Sequence, residues 1–376
     1  MNNKERLMIY PYDIQSAPLI THQSLIKNYN ITALVSPNGW GLNEKDAAFV
    51  YGGRPLGIHI QSDFEGCLDF CDTVLFAEHD QATDVKKVIL PKIKKAAKQQ
   101  KNILCSLCPN NEIKEEISQL CSSSNVHFKH FDYGKEVFYV DKLESITRTL
   151  CSFETPVVFV MGASDKTHKF EIQLALRDNF INMGYKVSQI GSRNGCEIFG
   201  FHSFPWFMRS TSINEIDRII LFNHYVKQIE LRENPDIIII GIPGGISPFS
   251  NELHNNFGVH AFQISQAVKP DAVIFSLLYA DFSPDYFQSL SNKINHKFGY
   301  EINCFNLSNN LFDMNASVFE KRFMYAKLDT GLVDNKTEYY RKLQIPVYNI
   351  LNSQDSNNIS RHIFDILSSY GNRELA

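Results

Sequence analysis

The chain has 376 residues, of which 44% are hydrophobic and 21% are charged. This composition excludes a disordered tail, a coiled coil and a collagen, and the length predicts two domains. The 37 basic and 41 acidic residues give a net charge of −4, so we expect neither nucleic acid nor an anionic membrane surface as a partner. No apolar run reaches the ~18 residues of a membrane span, and the first residues lack an export signal. We therefore expect a cytoplasmic protein with reduced cysteines.

The first part of the chain alternates β-branched apolar runs with helical patterns, which predicts a parallel α/β layer. The predicted strands are 7–12, 31–36, 73–77, 102–106 and 126–131. The predicted helices are 17–29, 64–71, 85–100 and 111–122. The turn after the first strand has no glycine, so the expected fold is Rossmann-like without the usual dinucleotide fingerprint.

The strand and helix pattern restarts at residue 155, and we place the domain boundary near residue 152. The predicted domains are therefore 1–150, a Rossmann-like open sheet, and 151–376, a phosphate-loop (P-loop) domain. The predicted strands of the second domain are 157–161, 186–190, 236–242, 272–278, 302–306, 323–328 and 347–351. Its predicted helices are 168–183, 214–232, 285–298 and 359–369.

The first turn of the second domain has the arrangement of a phosphate cradle, in which a buried strand leads through a turn into a helix that carries a lysine. Gly162 ends the strand, and the turn Ala163-Ser164-Asp165-Lys166-Thr167-His168 leads to Lys169. The standard loop ending in Gly-Lys-Ser/Thr is not present. The segment resembles the longer loop of dethiobiotin synthetases, with Gly162 at the first glycine and Lys169 at the lysine.

Two positions depart from that resemblance. His168 stands at the second glycine, and Phe170 or Glu171 stands at the hydroxyl that binds magnesium. The glycine lets the backbone approach phosphate, and the hydroxyl helps to hold Mg²⁺, so both departures argue against efficient hydrolysis of ATP or GTP. Three interpretations stay open: glycines that only make turns, an anion or nucleotide site without efficient hydrolysis, and an active nucleotide-dependent enzyme.

A second turn of this domain also resembles dethiobiotin synthetases. It follows the strand 236–242 and has Gly244 and Gly245 in register, whereas Gly241 stands where the family carries a metal-binding glutamate. A polar turn with Arg193 follows the preceding strand, at the sheet edge where open α/β sheets bind ligands. The candidate ligand-binding residues are Gly162, Asp165, Lys166, Thr167, His168, Lys169, Arg193, Gly244 and Gly245.

Several uncommon strings extend the similarity to most of the chain. They are Tyr10-Pro11-Tyr12-Asp13, Val35-Ser36-Pro37-Asn38-Gly39-Trp40-Gly41, Lys169-Phe170-Glu171-Ile172-Gln173-Leu174, Gly200-Phe201-His202-Ser203-Phe204-Pro205 and Ile240-Gly241-Ile242-Pro243-Gly244-Gly245. Together they resemble the clostridial peptide-maturation-system proteins, from about residue 7 to 370. This family is associated with gene clusters for ribosomally made, modified peptides. The resemblance implies an accessory role, with a precursor peptide or a modifying enzyme as partner.

Three further residues are candidates for substrate or partner binding. His202 lies in the aromatic segment 199–207, which fits either a ligand pocket or packing between domains. Trp40 and Asp13 follow the second and first strands, at the carboxyl edge of the first sheet. Trp40 fits recognition or an interface, and Asp13 fits a polar anchor or a helix cap.

The cysteines allow one metal hypothesis. Cys67 and Cys71 lie four residues apart, and Cys105 and Cys108 lie three apart, so a zinc or redox site is conceivable. The competing interpretation is that these thiols belong to the core. We favour core thiols, with no metal and no recognisable covalent nucleophile.

The function that these observations favour is an accessory protein of peptide maturation that binds a peptide, a protein or a small anionic ligand at a degenerate phosphate loop. ATP and GTP are the candidate nucleotides. The alternative is an ATP-dependent ligase of the dethiobiotin-synthetase type, with Asp165 or Glu171 recruited to a metal. A third class is an interaction module that binds partners through Trp40 and the segment 199–207. A homo-oligomer is left open.

Overall fold

The computed structural model describes residues 4–81, 83–107, 110–131 and 147–371. Two compact units divide the chain. The first contains the described residues up to 131 and also the short segment Asn194–Gly200, and the second contains the other described residues. Each unit is a mainly parallel sheet with helices, so the predicted two-domain α/β fold is confirmed. The sequence did not predict that 194–200 belongs to the first unit.

The first unit has five parallel strands in the order β2-β1-β3-β4-β5. They are β1 (Glu5–Tyr10), β2 (Tyr29–Leu34), β3 (Thr73–Phe76), β4 (Asn102–Cys105) and β5 (Phe128–His130). Its helices are α1 (Pro18–Thr21), α2 (Phe64–Leu68), α3 (Leu90–Lys98) and α4 (Asn111–Ser123). All five strands were predicted to within a few residues. The predicted helix 17–29 is too long, because Ile26 has extended backbone dihedrals that end the helical segment.

The second unit has a seven-stranded sheet in the order β11-β10-β9-β6-β8-β7, with β12 beside β10. Its strands are β6 (Val157–Gly162), β7 (Val187–Ile190), β8 (Ile237–Gly241), β9 (Ala272–Tyr279), β10 (Cys304–Phe312), β11 (Tyr325–Lys327) and β12 (Val347–Tyr348). Its helices are α5 (Lys169–Asn182), α6 (Glu215–Glu233), α7 (Val259–Ala267), α8 (Pro284–Phe298), α9 (Met314–Glu320), α10 (Thr330–Tyr340) and α11 (Ser353–Gly371). Only the pairing of β10 with β11 is antiparallel among the described strand pairs.

Helices cover both faces of the second sheet, so its central strands are apolar throughout. Every residue of β6 and β8 is buried. Alternate side chains of β8 enter two cores: Ile238 packs in the cluster that contains α6, α7 and α8, and Ile239 packs in the cluster that contains α5 and α11. This arrangement places the carboxyl ends of β6 and β8 side by side.

The sequence missed α7, α9 and α10, and it ended β10 six residues too early. The second half of β10 is polar, with Ser308, Asn309 and Asn310 all buried, which conceals the strand from a hydrophobicity pattern. No helix within the described ranges is both long and apolar enough to cross a membrane.

Candidate functional site

The loop between β6 and α5 makes a left-handed turn without a glycine. His168 precedes the first residue of α5 with φ 62° and ψ 24°, a conformation that favours glycine. Its imidazole is buried, and Nε2 lies 2.7 Å from Asn309 Oδ1. This hydrogen bond holds His168 in a backbone conformation that is costly for a residue with a Cβ. The turn is therefore present although His168 stands where the resembled loop has its second glycine.

Buried side chains outside the loop anchor three of its carbonyl oxygens. The donors are Asn255 Nδ2 to Ala163 O at 2.8 Å, Asn310 Nδ2 to Lys166 O at 2.6 Å, and Ser276 Oγ to Thr167 O. Each donor residue is at most 5% exposed. Buried polar side chains need hydrogen-bond partners. The loop carbonyls supply these partners, and the side chains in turn hold the loop in place.

The anchored carbonyls leave backbone N–H groups turned the other way. A trans peptide unit points its C=O and its N–H in opposite directions, so the N–H groups of Ser164, Thr167 and His168 point away from the anchoring side chains. Within the described part of the chain, the N–H groups of Ser164, Asp165 and His168 have no hydrogen-bond acceptor. Successive unpaired N–H groups at a helix N-terminus are a site that attracts anions.

Lys169 places a buried ammonium group at the same loop. The residue is 6% exposed, and its Nζ donates to Ser164 O at 3.0 Å and to Gly244 O. Burial lowers the pKa of Lys169 to about 8, although the nearby Asp165 carboxylate favours the charged form. At pH 7 the side chain is therefore protonated about ten times more often than not.

The turn after β8 forms a wall beside the loop because of its two glycines. A Cβ on Gly245 would lie 2.3 Å from Ala163 O and 1.9 Å from Asn255 Nδ2, so only glycine fits without a shift of the loop. Gly244 has a φ of 73°, which turns its carbonyl toward Lys169. The structure thus brings both predicted glycines to the loop.

Arg193 packs against Phe170 in the first turn of α5 and acts electrostatically on Glu171. The Arg193 guanidinium carbon lies 3.9 Å from the centroid of the Phe170 ring. Burial alone would raise the pKa of Glu171, but the hydrogen bond and charge of His168, together with the charge of Arg193, lower it to about 2. His168 and Arg193 thus favour the carboxylate form of Glu171. Asp165 and Lys166 are exposed at the outer side of the loop.

His202 forms its contacts with residues of α6, in the second unit. Its Nε2 lies 2.5 Å from Glu233 Oε1 at the end of α6, and its ring packs edge-on against Tyr225. No contact joins it to the loop among the described residues. The prediction that His202 approaches the anion together with Arg193 is therefore not supported by a contact.

The aromatic segment around His202 is part of the core. Phe199, Phe201, Phe204 and Phe207 are each at most 5% exposed. Trp206 is half-buried against the core. Of the two interpretations of 199–207, the structure therefore favours packing, and it does not favour a pocket or a groove for a partner.

Asp13 and Trp40 belong to the first unit. Asp13 is buried, and its carboxylate accepts hydrogen bonds from the backbone N–H groups of Gln15 and Asp80 at 2.8 and 2.7 Å. Burial raises the pKa of Asp13. Trp40 is half-buried with its ring 5.6 Å from that of His79, which together with Gln15 lines a cleft of about 400 Å³.

The cysteines fit the core interpretation as far as they are described. Cys67, Cys71 and Cys105 are buried, and burial raises the pKa of Cys71 to about 11. Cys108, which the zinc hypothesis needs, lies outside the described residues. Within the described part of the chain, no group of three His, Cys, Asp or Glu side chains is arranged to hold a metal ion.

Sequence reasoning missed the side chains that hold the loop. They are Asn255, Ser276, Asn306, Asn309, Asn310 and Tyr325. One signal was present: Ser308, Asn309 and Asn310 interrupt an apolar run with amide and hydroxyl groups. A polar run that continues a buried strand needs internal partners, and the loop supplies them.

No protein-family model and no curated protein matches this chain. Its fold is similar to the crystal structure of a DUF1611 family protein from Anabaena variabilis, with a TM-score of 0.61 and 11% identity over 96% of this chain and 100% of that one. An NAD-binding protein from Listeria innocua gives a TM-score of 0.29 at 19% identity, over 47% and 55% of the two chains. A GTPase from Pyrococcus abyssi gives 0.28 at 13% identity, over 55% and 84%. The first similarity shows a shared fold, and the other two are too weak to carry an argument.

Proposed function

We propose that the loop 163–168 and Lys169 bind a phosphate-type anion. We further propose that the chain is an accessory protein of peptide maturation and that this role depends on the anion site. One observation carries the first part of the proposal. Lys169 is a buried cation whose hydrogen-bond acceptors, among the described residues, are the neutral carbonyls of Ser164 and Gly244. A buried charge without a hydrogen-bonded counter-charge is costly, and an anion at the loop removes that cost.

The backbone supports the same ligand class. The N–H groups of Ser164, Asp165 and His168 have no acceptor among the described residues, and the 14-residue helix α5 begins at Lys169. Its N-terminus carries a partial positive charge that favours anions. Phosphate oxygens accept several hydrogen bonds at once, which matches a set of donors on consecutive residues.

The residues after Lys169 support binding without efficient hydrolysis. Phe170 is buried and has no hydroxyl to help hold Mg²⁺. Glu171 is engaged by His168 and Arg193. A carboxylate recruited to a metal would have to leave both His168 and Arg193, so the ligase alternative is the less favoured one.

Calorimetric titration with ATP and GTP, each with and without Mg²⁺, tests the anion site. We expect saturable binding that does not require Mg²⁺, is lost in Lys169→Gln and persists in Lys293→Gln, a control on the exposed face of α8. Binding that is unchanged in a folded Lys169→Gln protein contradicts the proposal. If the protein releases phosphate in a Mg²⁺-dependent reaction that needs Lys169, the proposal of binding without efficient hydrolysis is wrong and the ligase alternative is correct.

The role in peptide maturation rests on the strings that resemble the clostridial proteins. It is tested by co-expressing a precursor peptide and its modifying enzyme from a peptide-maturation gene cluster with the intact protein, with Lys169→Gln or without either. Intact mass of the peptide is the readout. We expect the modified mass only with the intact protein, and full modification without the chain contradicts the role.

A further inference from the structure

A thiol and an imidazole lie side by side in the second unit. Cys151 precedes β6, whereas the loop 163–168 follows that strand, and His224 lies in the middle of α6. Cys151 Sγ is 3.8 Å from His224 Nδ1, within reach of a hydrogen bond to nitrogen from the thiol. The two residues are 73 positions apart in sequence, so no spacing motif revealed the pair.

The partners of the other ring nitrogen define the tautomer of His224. Its Nε2 lies 3.1 Å from the carbonyl oxygens of both Thr147 and Thr149. Because a carbonyl oxygen only accepts hydrogen bonds, we assign the proton of the neutral ring to Nε2. Nδ1 then presents its lone pair to Cys151, and the thiol donates to it. An imidazole in this tautomer can take the thiol proton and generate the thiolate, which is the nucleophilic form of cysteine.

Asn223 holds the backbone of Cys151 beside the imidazole. The Asn223 side chain is buried, and its Oδ1 accepts from the Cys151 N–H at 2.8 Å while its Nδ2 donates to the Cys151 carbonyl at 3.0 Å. Nδ2 also donates to Ala267 O at 2.8 Å, which fixes the amide itself. The thiol therefore has a defined position next to its base, as a preorganised reactive group requires.

Cys151 also differs from the other described cysteines in its access to solvent. It is half-buried, and residues 147–150 and 152 beside it are exposed. The remaining described cysteines are all buried: Cys67, Cys71, Cys105, Cys121, Cys196 and Cys304. A small reagent in solution therefore reaches Cys151 more readily than these six thiols.

The backbone around the thiol favours reaction with a disulfide over acyl transfer. Acyl transfer develops an oxyanion that needs positioned N–H donors, and the N–H of Cys151 is engaged by Asn223 Oδ1. Attack on a disulfide sulfur develops no oxyanion. It needs a thiolate that attacks and a proton for the thiolate that leaves, and His224 can serve both needs.

We infer that Cys151 and His224 form a modification site at which the thiol exchanges with low-molecular-mass disulfides. His224 Nδ1 takes the proton of Cys151 Sγ, and the thiolate attacks one sulfur of the disulfide. A new S–S bond forms at Sγ as the old one breaks, and the leaving thiolate takes the proton from the imidazolium. The protein thiol is thereby oxidised to a mixed disulfide, and half of the reagent is reduced to a free thiol. This inference does not depend on the proposed anion site.

The test treats the full chain with oxidised glutathione at pH 7 and follows mixed-disulfide formation at each cysteine by peptide mass spectrometry. A synthetic peptide of residues 147–155 is the reference, because its thiol is fully accessible and has no imidazole beside it. The variants are His224→Gln and, as a matched control, His296→Gln on the exposed side of α8. We expect Cys151 in the protein to react at least about five-fold faster than the peptide. His224→Gln should slow Cys151 by about the same factor, and His296→Gln should not change its rate.

The outcomes separate an activated thiol from one that is only accessible. A half-buried thiol without activation reacts more slowly than the peptide, so a rate in the protein at or below that of the peptide overturns the inference. This comparison needs no variant and holds even if His224→Gln does not fold. An unchanged rate in a His224→Gln protein with the circular dichroism of the wild type would show that the imidazole only tethers residues 147–151 to α6. Acylation of Cys151 by p-nitrophenyl acetate without any mixed disulfide would assign acyl transfer to the pair, and the inference would be wrong.

Discussion

The ammonium group of Lys169, at the start of α5, donates a hydrogen bond to the carbonyl oxygen of Gly244 in the turn after β8. This bond joins the two turns that follow neighbouring strands, since β6 and β8 pair in parallel. In the proposed complex, an anionic oxygen replaces the carbonyl as the acceptor. The charge of Lys169 and the glycine turn are therefore parts of one site, and they should respond together to substitution and to pH.

Substitution of Gly245 tests the close approach of the two turns. Gly245→Ala places a Cβ against Ala163 O and Asn255 Nδ2, so we expect a loss of about 1–3 kcal/mol in the free energy of unfolding and weaker ATP binding. Urea denaturation and calorimetry measure the two effects. Gly299→Ala is the control for binding, because Gly299 has open space around it. Its positive φ, which Gly245 does not share, makes Gly299→Ala strained in a different way and far from the loop. Equal effects of both variants on binding would contradict the role of the glycine wall.

His168→Gly separates backbone strain from side-chain bonding. Glycine relieves a left-handed conformation that costs about 1–2 kcal/mol. The same change leaves Asn309 Oδ1 without its buried partner, which costs about 1–3 kcal/mol, and it removes the packing of the imidazole. We expect a net loss of stability of about 1 kcal/mol in urea denaturation, with the left-handed turn and anion binding retained. A more stable variant would show that the imidazole contributes nothing to holding the loop.

Much of the fold was predictable from local sequence patterns, whereas the missed features depend on residues that are distant in sequence. The apolar runs of β6 and β8 are buried on both faces, so composition alone located them and the turns that follow. Lys169 was found because a strand, a turn and a lysine occur in a set order, and Gly245 was found because the turn after the strand 236–242 resembles the glycine turn of dethiobiotin synthetases. The side chains that hold the loop come from β9, β10 and the turn before α7, more than 80 residues away in sequence. Periodicity says nothing about which distant amide meets which carbonyl.

The affinity for a phosphate anion should fall as the pH rises through the pKa of Lys169. That pKa is about 8 in the free protein because of burial, and a bound anion favours the protonated form. Calorimetry with tripolyphosphate between pH 7.5 and 9.5 should show affinity approaching a ten-fold decrease per pH unit above 8. Lys169→Gln should lose this part of the slope. A wild-type slope equal to that of Lys169→Gln would exclude the ammonium as the anion's partner.

Glu171 should stabilise the protein at neutral pH and lose that effect in acid. Its folded pKa, about 2, lies below the ordinary glutamate value of 4.5 because of His168 and Arg193. The stabilisation is therefore present above pH 4.5 and lost as the pH falls toward 2. Glu171→Gln should cost of order 1–3 kcal/mol at pH 7, and the gap from wild type should narrow in urea denaturation at pH 3. A gap that is constant across this range would contradict the ion pairing.

The most direct test of the anion site is the ionisation of Lys169 itself, followed by NMR of the full chain with ¹³C-labelled lysine. The signal is assigned by its disappearance in Lys169→Gln. We predict a titration midpoint near pH 8 in the free protein and a clear upward shift at saturating tripolyphosphate, because the anion stabilises the ammonium. A midpoint that does not move while tripolyphosphate is bound would show that the anion binds elsewhere, and the account of this site would be wrong.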